Sequence, residues 1–250
     1  MTALPIKRLV KIISFAFKNF HFFLISIKIL LHFIYVQIFI KKNFFKYKTK
    51  KDNFLNECKK LKFDHGDFFN NNINSWLYIF DKFKLTNKKL EVLEIGSYEG
   101  RSTCFLFKFL TNIKLTCVDT FKPFLELRGR NLKKFKNIFI NFKKNTSKYS
   151  KRLKIFKDTS HNFFKKNKYK KFDLIYIDGS HKYKYVLHDA NRAFLALKQN
   201  GIIIFDDFMW ENDEQNKLPY DAIIEFLKKN NLNLKILYID YQIIVKKIKN

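Results

Sequence analysis

The chain has 250 residues, 47% of them hydrophobic, which suffices for one α/β domain with an appendage and excludes two ordinary domains. A formal charge of +28 would ordinarily mark a nucleic-acid or anionic-membrane partner. Lysine far outnumbers arginine, however, and Asn, Ile and Phe are plentiful, as when AT-rich codons fill surface positions; the arginine forks typical of nucleic-acid readers are scarce.

From Leu9 to Ile40 nearly every residue is apolar, yet no uninterrupted run approaches the roughly 20 residues of a clean membrane span. Lys11, Ser14, Lys18, His21, Lys28, His32 and Tyr35 recur at helical spacings and draw a polar stripe along an apolar helix, interrupted at Ile25. Such an amphipathic helix suits an anionic membrane surface, a partner, or the protein's own domain. A tilted span beginning near Phe20 would have to accommodate Lys28. A cleaved signal peptide is not expected, because no short apolar core leads to a small-residue cleavage site. Lys41 to Lys51 reads as a solvated linker or a juxtamembrane basic segment. This divides the sequence into an apolar/basic helix with linker over residues 1–52 and a folded domain over 53–250.

Asn53 to Asn72 is polar and weakly patterned, and Trp76, Ile79, Phe80 and Phe83 then mark a helix over 73–83. From Leu90 onward, apolar runs alternate with helical patterns. They predict strands near 91–95, 114–118, 153–157, 173–178 and 201–206, and helices near 100–111, 125–141, 160–166, 183–198 and 219–229. Leu232–Ile239 and Tyr241–Ile248 are separated by little more than Asp240, a spacing for an antiparallel hairpin. The predicted fold class is α/β: a Rossmann-like, doubly wound, mostly parallel sheet with a C-terminal antiparallel hairpin, preceded by the amphipathic helix. Cys58, Cys104 and Cys117 have neither metal nor C-x-x-C spacing and form no disulfide framework, which suits a reducing intracellular compartment.

Two stretches carry chemistry. Val92-Leu-Glu-Ile-Gly-Ser-Tyr-Glu-Gly-Arg-Ser102 reads as strand, glycine turn and helix, the arrangement that presents backbone N–H groups and a positive helix end at a sheet's carboxyl edge. Gly96 and Gly100 lack the middle glycine of a dinucleotide fingerprint. Asp119 ends the next strand, where an acid can hold ribose hydroxyls. Downstream, Phe172-Asp-Leu-Ile-Tyr-Ile-Asp-Gly-Ser-His181 and Gly201-Ile-Ile-Ile-Phe-Asp-Asp207 end two further strands in acids. If those strands are neighbours, Asp178, Asp206 and Asp207 converge, and a hard divalent cation such as Mg²⁺ is the simplest counter-charge. His181, three residues after Asp178, can face the same pocket and accept a hydroxyl proton. Each acid alone also reads as an ordinary turn or cap.

The acid-x-Gly-x-x-x-Gly pattern, the Ile177-Asp-Gly-Ser-His181 turn with Tyr185 and Asp189 after it, and Phe205-Asp-Asp-Phe208 with Trp210 together resemble the class I S-adenosylmethionine-dependent methyltransferases. Within them, the resemblance is to the small-molecule O-methyltransferases of the macrocin and mycinamicin type, over residues 73–248. It implies that Glu94, Gly96, Ser97, Gly100 and Ser102 line the methionine and ribose end of S-adenosyl-L-methionine, that Asp119 and Thr120 hold the ribose, and that Asp158 and Thr159 lie near the adenine. It further implies Asp178, Asp206 and Asp207 as Mg²⁺ ligands, with His181 and Asp178 catalytic. The chain lacks the proline-and-aromatic motif of nucleic-acid base methyltransferases after strand four, so a hydroxylated small molecule or sugar is the expected acceptor. The rival readings are a membrane-associated or RNA-binding module with a vestigial core, and a hydroxylase-like relative on the same scaffold. The expected location is the cytoplasm, or an organelle with an AT-rich genome, peripheral to a membrane.

Overall fold

The computed structural model describes residue 10 and residues 23–122, 137–210 and 217–249. The chain forms two compact units, Met1–Phe45 with Ser180–Asn250, and Lys46–Gly179. Seven strands follow the order β3-β2-β1-β4-β5-β7-β6. They are β1 (Leu90–Ile95), β2 (Ile113–Val118), β3 (Leu153–Phe156), β4 (Phe172–Ile177), β5 (Leu197–Phe205), β6 (Leu234–Ile239) and β7 (Ile243–Lys247). The mixed, mostly parallel sheet with an antiparallel C-terminal pair is the fold the sequence predicts.

In the unit of residues 46–179, β1 runs parallel to both β2 and β4, and β2 runs parallel to β3. Val92, Leu93, Ile95, Leu115, Cys117, Val118, Leu174 and Ile175 are all buried, as strands covered on both faces require. The unit's helices are α2 (Lys48–Cys58), α3 (Ile73–Lys82), α4 (Arg101–Phe109), α5 (Ile138–Thr146) and α6 (Ser160–Lys166). Trp76 and Phe105 are the centre of an aromatic cluster with Phe69, Phe80 and Tyr176; the Trp76 and Tyr176 rings meet edge-on at 4.7 Å. Most of the predicted helix over 125–141 lies outside the described residues, and α5 starts near its end and runs beyond it. Helix α2 replaces part of the expected linker. Its sequence is mostly lysine and polar residues, and only Phe54 and Cys58 of its face are buried.

The unit of residues 180–250 with the amino-terminal segment holds α7 (Tyr183–Ala196), α8 (Pro219–Lys229) and the antiparallel pairs β5–β7 and β6–β7. Helix α8 starts on Pro219, whose missing N–H costs nothing at that position, and Asp221 accepts the Leu218 N–H at 2.7 Å. Helix α1 (Phe23–Tyr35) continues as a π turn (Val36–Ile40) and a 3-10 segment. Ile29, Phe33, Val36 and Ile40 are buried, with α1 against β6. Phe44 stacks near Tyr238 at 6.4 Å, and Lys41 pairs with Asp240 at 2.6 Å. One face of the amino-terminal helix thus packs on the protein's own domain. The polar stripe does not mark the outer face: Leu31, Ile34, Ile38 and Phe39 share it with Lys28 and Tyr35, while His32 is half-buried. Among the described residues no helix is long and apolar enough to cross a membrane.

Candidate active site

In the unit of residues 46–179, two left-handed glycines shape the turn after β1. Gly96 (φ +87°) lies so close to the tip of β4 that an added Cβ would sit 1.7 Å from the Asp178 carbonyl oxygen. Its N–H donates to Val118 O at 2.9 Å, and Asp178 N–H donates to Ile95 O at 2.8 Å, so the turn is stitched to both neighbouring strands. At Gly100 (φ +87°) a Cβ would meet the side chains of Phe142 and Thr146 at 3.0 Å. Tyr98 is also left-handed (φ +48°), a conformation that a bulky residue adopts only under constraint.

Asp119 supplies that constraint. Its Oδ2 accepts the Ser97 and Tyr98 N–H groups at 2.8 Å each, and its Oδ1 accepts the Phe121 N–H at 2.6 Å. The expected ribose ligand is therefore also the clamp of the glycine turn, and a carboxylate, with about four acceptor sites, can serve both. Glu94 is completely buried. Ser102 Oγ and Thr103 Oγ1 donate to its two oxygens at 2.5 Å each, and Cys117 Sγ donates at 3.0 Å, tying β1 to the first turn of α4 and to β2. Glu94 and Ser102, both expected at the cofactor, thus face one another inside the fold. Ser97 Oγ is buried without a hydrogen bond of good geometry.

Burial raises the carboxyl pKa values of both Glu94 and Asp119, against the hydrogen bonds that lower them. A raised folded-state value means that the native chain holds these protons more tightly than the unfolded one. Their contribution to stability is therefore full below the ordinary carboxylate range and is lost as pH rises through the raised values. The expected result is a urea midpoint that falls over that interval, with a shallower fall in Glu94→Gln; urea titrations at stepped pH measure both.

The expected adenine-end residues follow β3. Asp158 Oδ1 accepts the Thr159 N–H at 2.7 Å and Asn162 Nδ2 at 2.8 Å, donors that hold its carboxyl below the usual range. Thr159 Oγ1 caps α6 through the Asn162 N–H, and Thr120 Oγ1 accepts the Lys122 N–H. A strap over residues 61–70, which no sequence pattern announces, is tied to the glycine turn. His65 Nδ1 lies 2.9 Å from Glu99 Oε1, Asn141 Nδ2 donates to both Glu99 and Asp64, and Arg101 pairs with Asp67 at 3.7 Å. Asp178, at the tip of β4, accepts Tyr176 OH at 2.8 Å.

In the other unit, His181 Nε2 lies 2.7 Å from Asp207 Oδ2, and Tyr241 OH donates to Asp207 Oδ1 at 2.9 Å. The His181 ring stacks on Trp210 at 4.6 Å, and Asp207 is held left-handed at φ +54°. Asp206, buried, accepts Gln242 Nε2 at 2.8 Å and the Asp207 N–H at 2.9 Å. The result is a histidine whose ring is fixed by a carboxylate on one side and an indole on its face. Tyr241 and Gln242, on the β6–β7 turn, complete the arrangement and lie far from it in sequence. Asp178, Asp206 and Asp207 have the oxygen chemistry for a hard cation, yet Tyr176, Gln242, Tyr241 and His181 engage their carboxylates. Among the described residues no group of three or more His, Cys, Asp or Glu side chains could hold a metal ion. In this arrangement side chains of the protein occupy the three carboxylates, and no chemical step is routed through a cation.

Residues 93–208, somewhat under half of the chain, match a family model described as a methyltransferase domain. A protein of Acanthamoeba polyphaga mimivirus, itself uncharacterised, is 28% identical over 158 residues, 60% of this chain; the chain spans 66% of that protein's length. An O-methyltransferase from Bacillus cereus in complex with SAH superposes with a TM-score of 0.52 at 14% identity, covering 88% of this chain and 97% of that one. A candidate O-methyltransferase from Klebsiella pneumoniae gives 0.54 at 15% identity, covering 80% and 90%. A candidate rRNA methylase from Clostridium thermocellum also gives 0.54, at 16% identity, covering 70% and 97%. At these identities the solved structures establish the fold, and the family match places the class I methyltransferase pattern on the residues that build the glycine turn and the β4 and β5 tips.

Proposed function

We propose that the chain transfers a methyl group from S-adenosylmethionine to a hydroxyl of a small molecule or sugar. The observation that carries this reading is the fixed His181–Asp207 pair, a proton acceptor encoded within the same methyltransferase match as the glycine turn. S-adenosylmethionine, when bound, supplies an electrophilic methyl carbon on a sulfonium. The residues present suit it: a glycine turn with no room for a Cβ at Gly96, a buried Ser97 hydroxyl, and Asp119 positioned beside both. In the tautomer that donates from Nε2 to Asp207, the lone pair of the neutral His181 ring sits on Nδ1. That nitrogen would take the proton of the acceptor hydroxyl as the hydroxyl oxygen gains the methyl group and the carbon–sulfonium bond breaks to leave a neutral thioether, and Asp207 would stabilise the imidazolium that results. Asp207 in turn is oriented by Tyr241. The acceptor class is argued from this base and from the resemblance to small-molecule enzymes, and acceptor choice is assigned to the loop from Phe208 to Leu218, part of which lies outside the described residues.

A divalent cation on Asp178, Asp206 and Asp207 is a separate part of the reading. It rests on the three carboxylates alone and requires Asp206 and Asp207 to exchange Gln242 and Tyr241 for the ion. Titration with S-adenosylhomocysteine, followed by transfer assays on a panel of hydroxylated acceptors with and without EDTA, tests both parts. The expected outcome is saturable binding and hydroxyl-dependent transfer, abolished by EDTA with binding intact. Transfer undiminished by EDTA removes the cation and leaves the His181–Asp207 mechanism; saturable NAD binding with no S-adenosylhomocysteine binding removes the methyltransferase reading.

A further inference from the structure

Helix α1 and its continuation carry two apolar faces, and among the described residues only one is packed. Ile29, Phe33, Val36 and Ile40 are buried with α1 on β6, each no more than 2% exposed. Leu31, Ile34, Tyr35, Ile38 and Phe39 lie in solvent at 61%, 38%, 45%, 55% and 50% exposure, an unusual density of large apolar side chains on one helical strip. The strip is about 12 Å long from Leu31 to Phe39 at the usual helical rise. Lys28 is exposed before it and Lys42 after it, with the Lys42 ammonium 5.5 Å from the Phe39 ring centre. Phe45 follows at 77% exposure.

The chain segment that carries this strip has charge of one sign, although Lys41 at its end is paired with Asp240. The first acidic residue of the chain is Asp52, and eleven lysines and arginines precede it. A second copy docked on the strip would bring two acid-free basic segments together, whereas an anionic lipid surface answers both the apolar side chains and the lysines that frame them. We propose that Leu31, Ile34, Tyr35, Ile38 and Phe39 form a docking face for the headgroup and upper acyl region of an anionic bilayer. The helix lies in the interface with its opposite side still packed on β6. This differs from the polar stripe read in the sequence, because the lipid-facing side is the apolar one and the lysines sit at its ends. It rests on the surface of α1 and not on the methyl-transfer reading.

The test is co-sedimentation of the full chain with vesicles of phosphatidylcholine alone and of phosphatidylcholine with phosphatidylglycerol. The protein should bind the anionic vesicles, bind the neutral ones far more weakly, and be released by salt. Replacing Leu31→Gln, Ile38→Gln and Phe39→Gln together should weaken binding by at least about tenfold, since apolar area buried at the interface drives it. Ile34→Gln with Tyr35→Gln, a second variant on the same strip, should act in the same direction. An unchanged thermal midpoint and unchanged S-adenosylhomocysteine titration in both variants separate this effect from misfolding and from failure of the methyltransferase reading. Vesicle binding by both variants equal to the unaltered chain overturns the proposal. So does an unaltered chain that is a dimer in solution, becomes monomeric in the variants and shows no vesicle binding.

Discussion

His181→Ala is expected to slow methyl transfer by about 10²–10⁴-fold, the usual range for loss of a positioned base. S-adenosylhomocysteine affinity should stay within error, because the glycine turn and its Asp119 clamp contain no part of His181. Asp207→Asn should fall between the two: the ring keeps a hydrogen-bonding partner but loses the charge that stabilises the imidazolium. Tyr241→Phe should be milder still, since it removes only the outer bond to Asp207. Single-turnover rates at saturating acceptor, with a calorimetric titration for each variant, measure the series. A His181→Ala rate equal to that of the unaltered protein removes the base, and a loss of cofactor affinity equal to the loss of rate reassigns His181 to binding.

Gly96→Ala should have the largest effect on stability. A left-handed backbone costs a residue bearing a Cβ about 1–2 kcal/mol, and here the new methyl would also meet backbone rather than a yielding side chain, 1.7 Å from Asp178 O. The expected loss is about 3–5 kcal/mol, among the large values that single substitutions reach. Gly100→Ala should cost less, because its nearest neighbours are the side-chain ends of Phe142 and Thr146 at 3.0 Å. Urea unfolding of both variants gives the comparison, and equal midpoints for the two would show that the β4 tip yields at little cost.

Where local pattern and tertiary structure agree, the sequence is readable. Strands β1, β2 and β4 announce themselves as short apolar runs because both faces are covered, and the carboxyl-end acids stand out because charge interrupts each run at a fixed place. Three things do not show. Helix α2 packs through Phe54 and Cys58 alone, too few apolar positions for a period to emerge from its lysines. The face of α1 that packs cannot be told from the face that does not, since both are apolar and the few polar residues follow neither. Tyr241, Gln242 and His65 act across 34 to 36 residues of chain separation, and nothing in their immediate neighbours distinguishes them from any other turn residue.

The placement of the two tryptophans gives each compact unit its own optical label. Trp76 is fully buried among Phe69, Phe105 and Tyr176 in the unit of residues 46–179, and Trp210 stacks on the imidazole of His181 in the other. An indole in a hydrocarbon cluster and one against a heteroaromatic ring differ in emission colour and quenching. Because the chain has only these two tryptophans, one substitution at either site leaves a single-tryptophan protein. Trp76 then reports the collapse of the aromatic cluster during folding, and Trp210 reports whatever displaces its imidazole partner, without any dye attached.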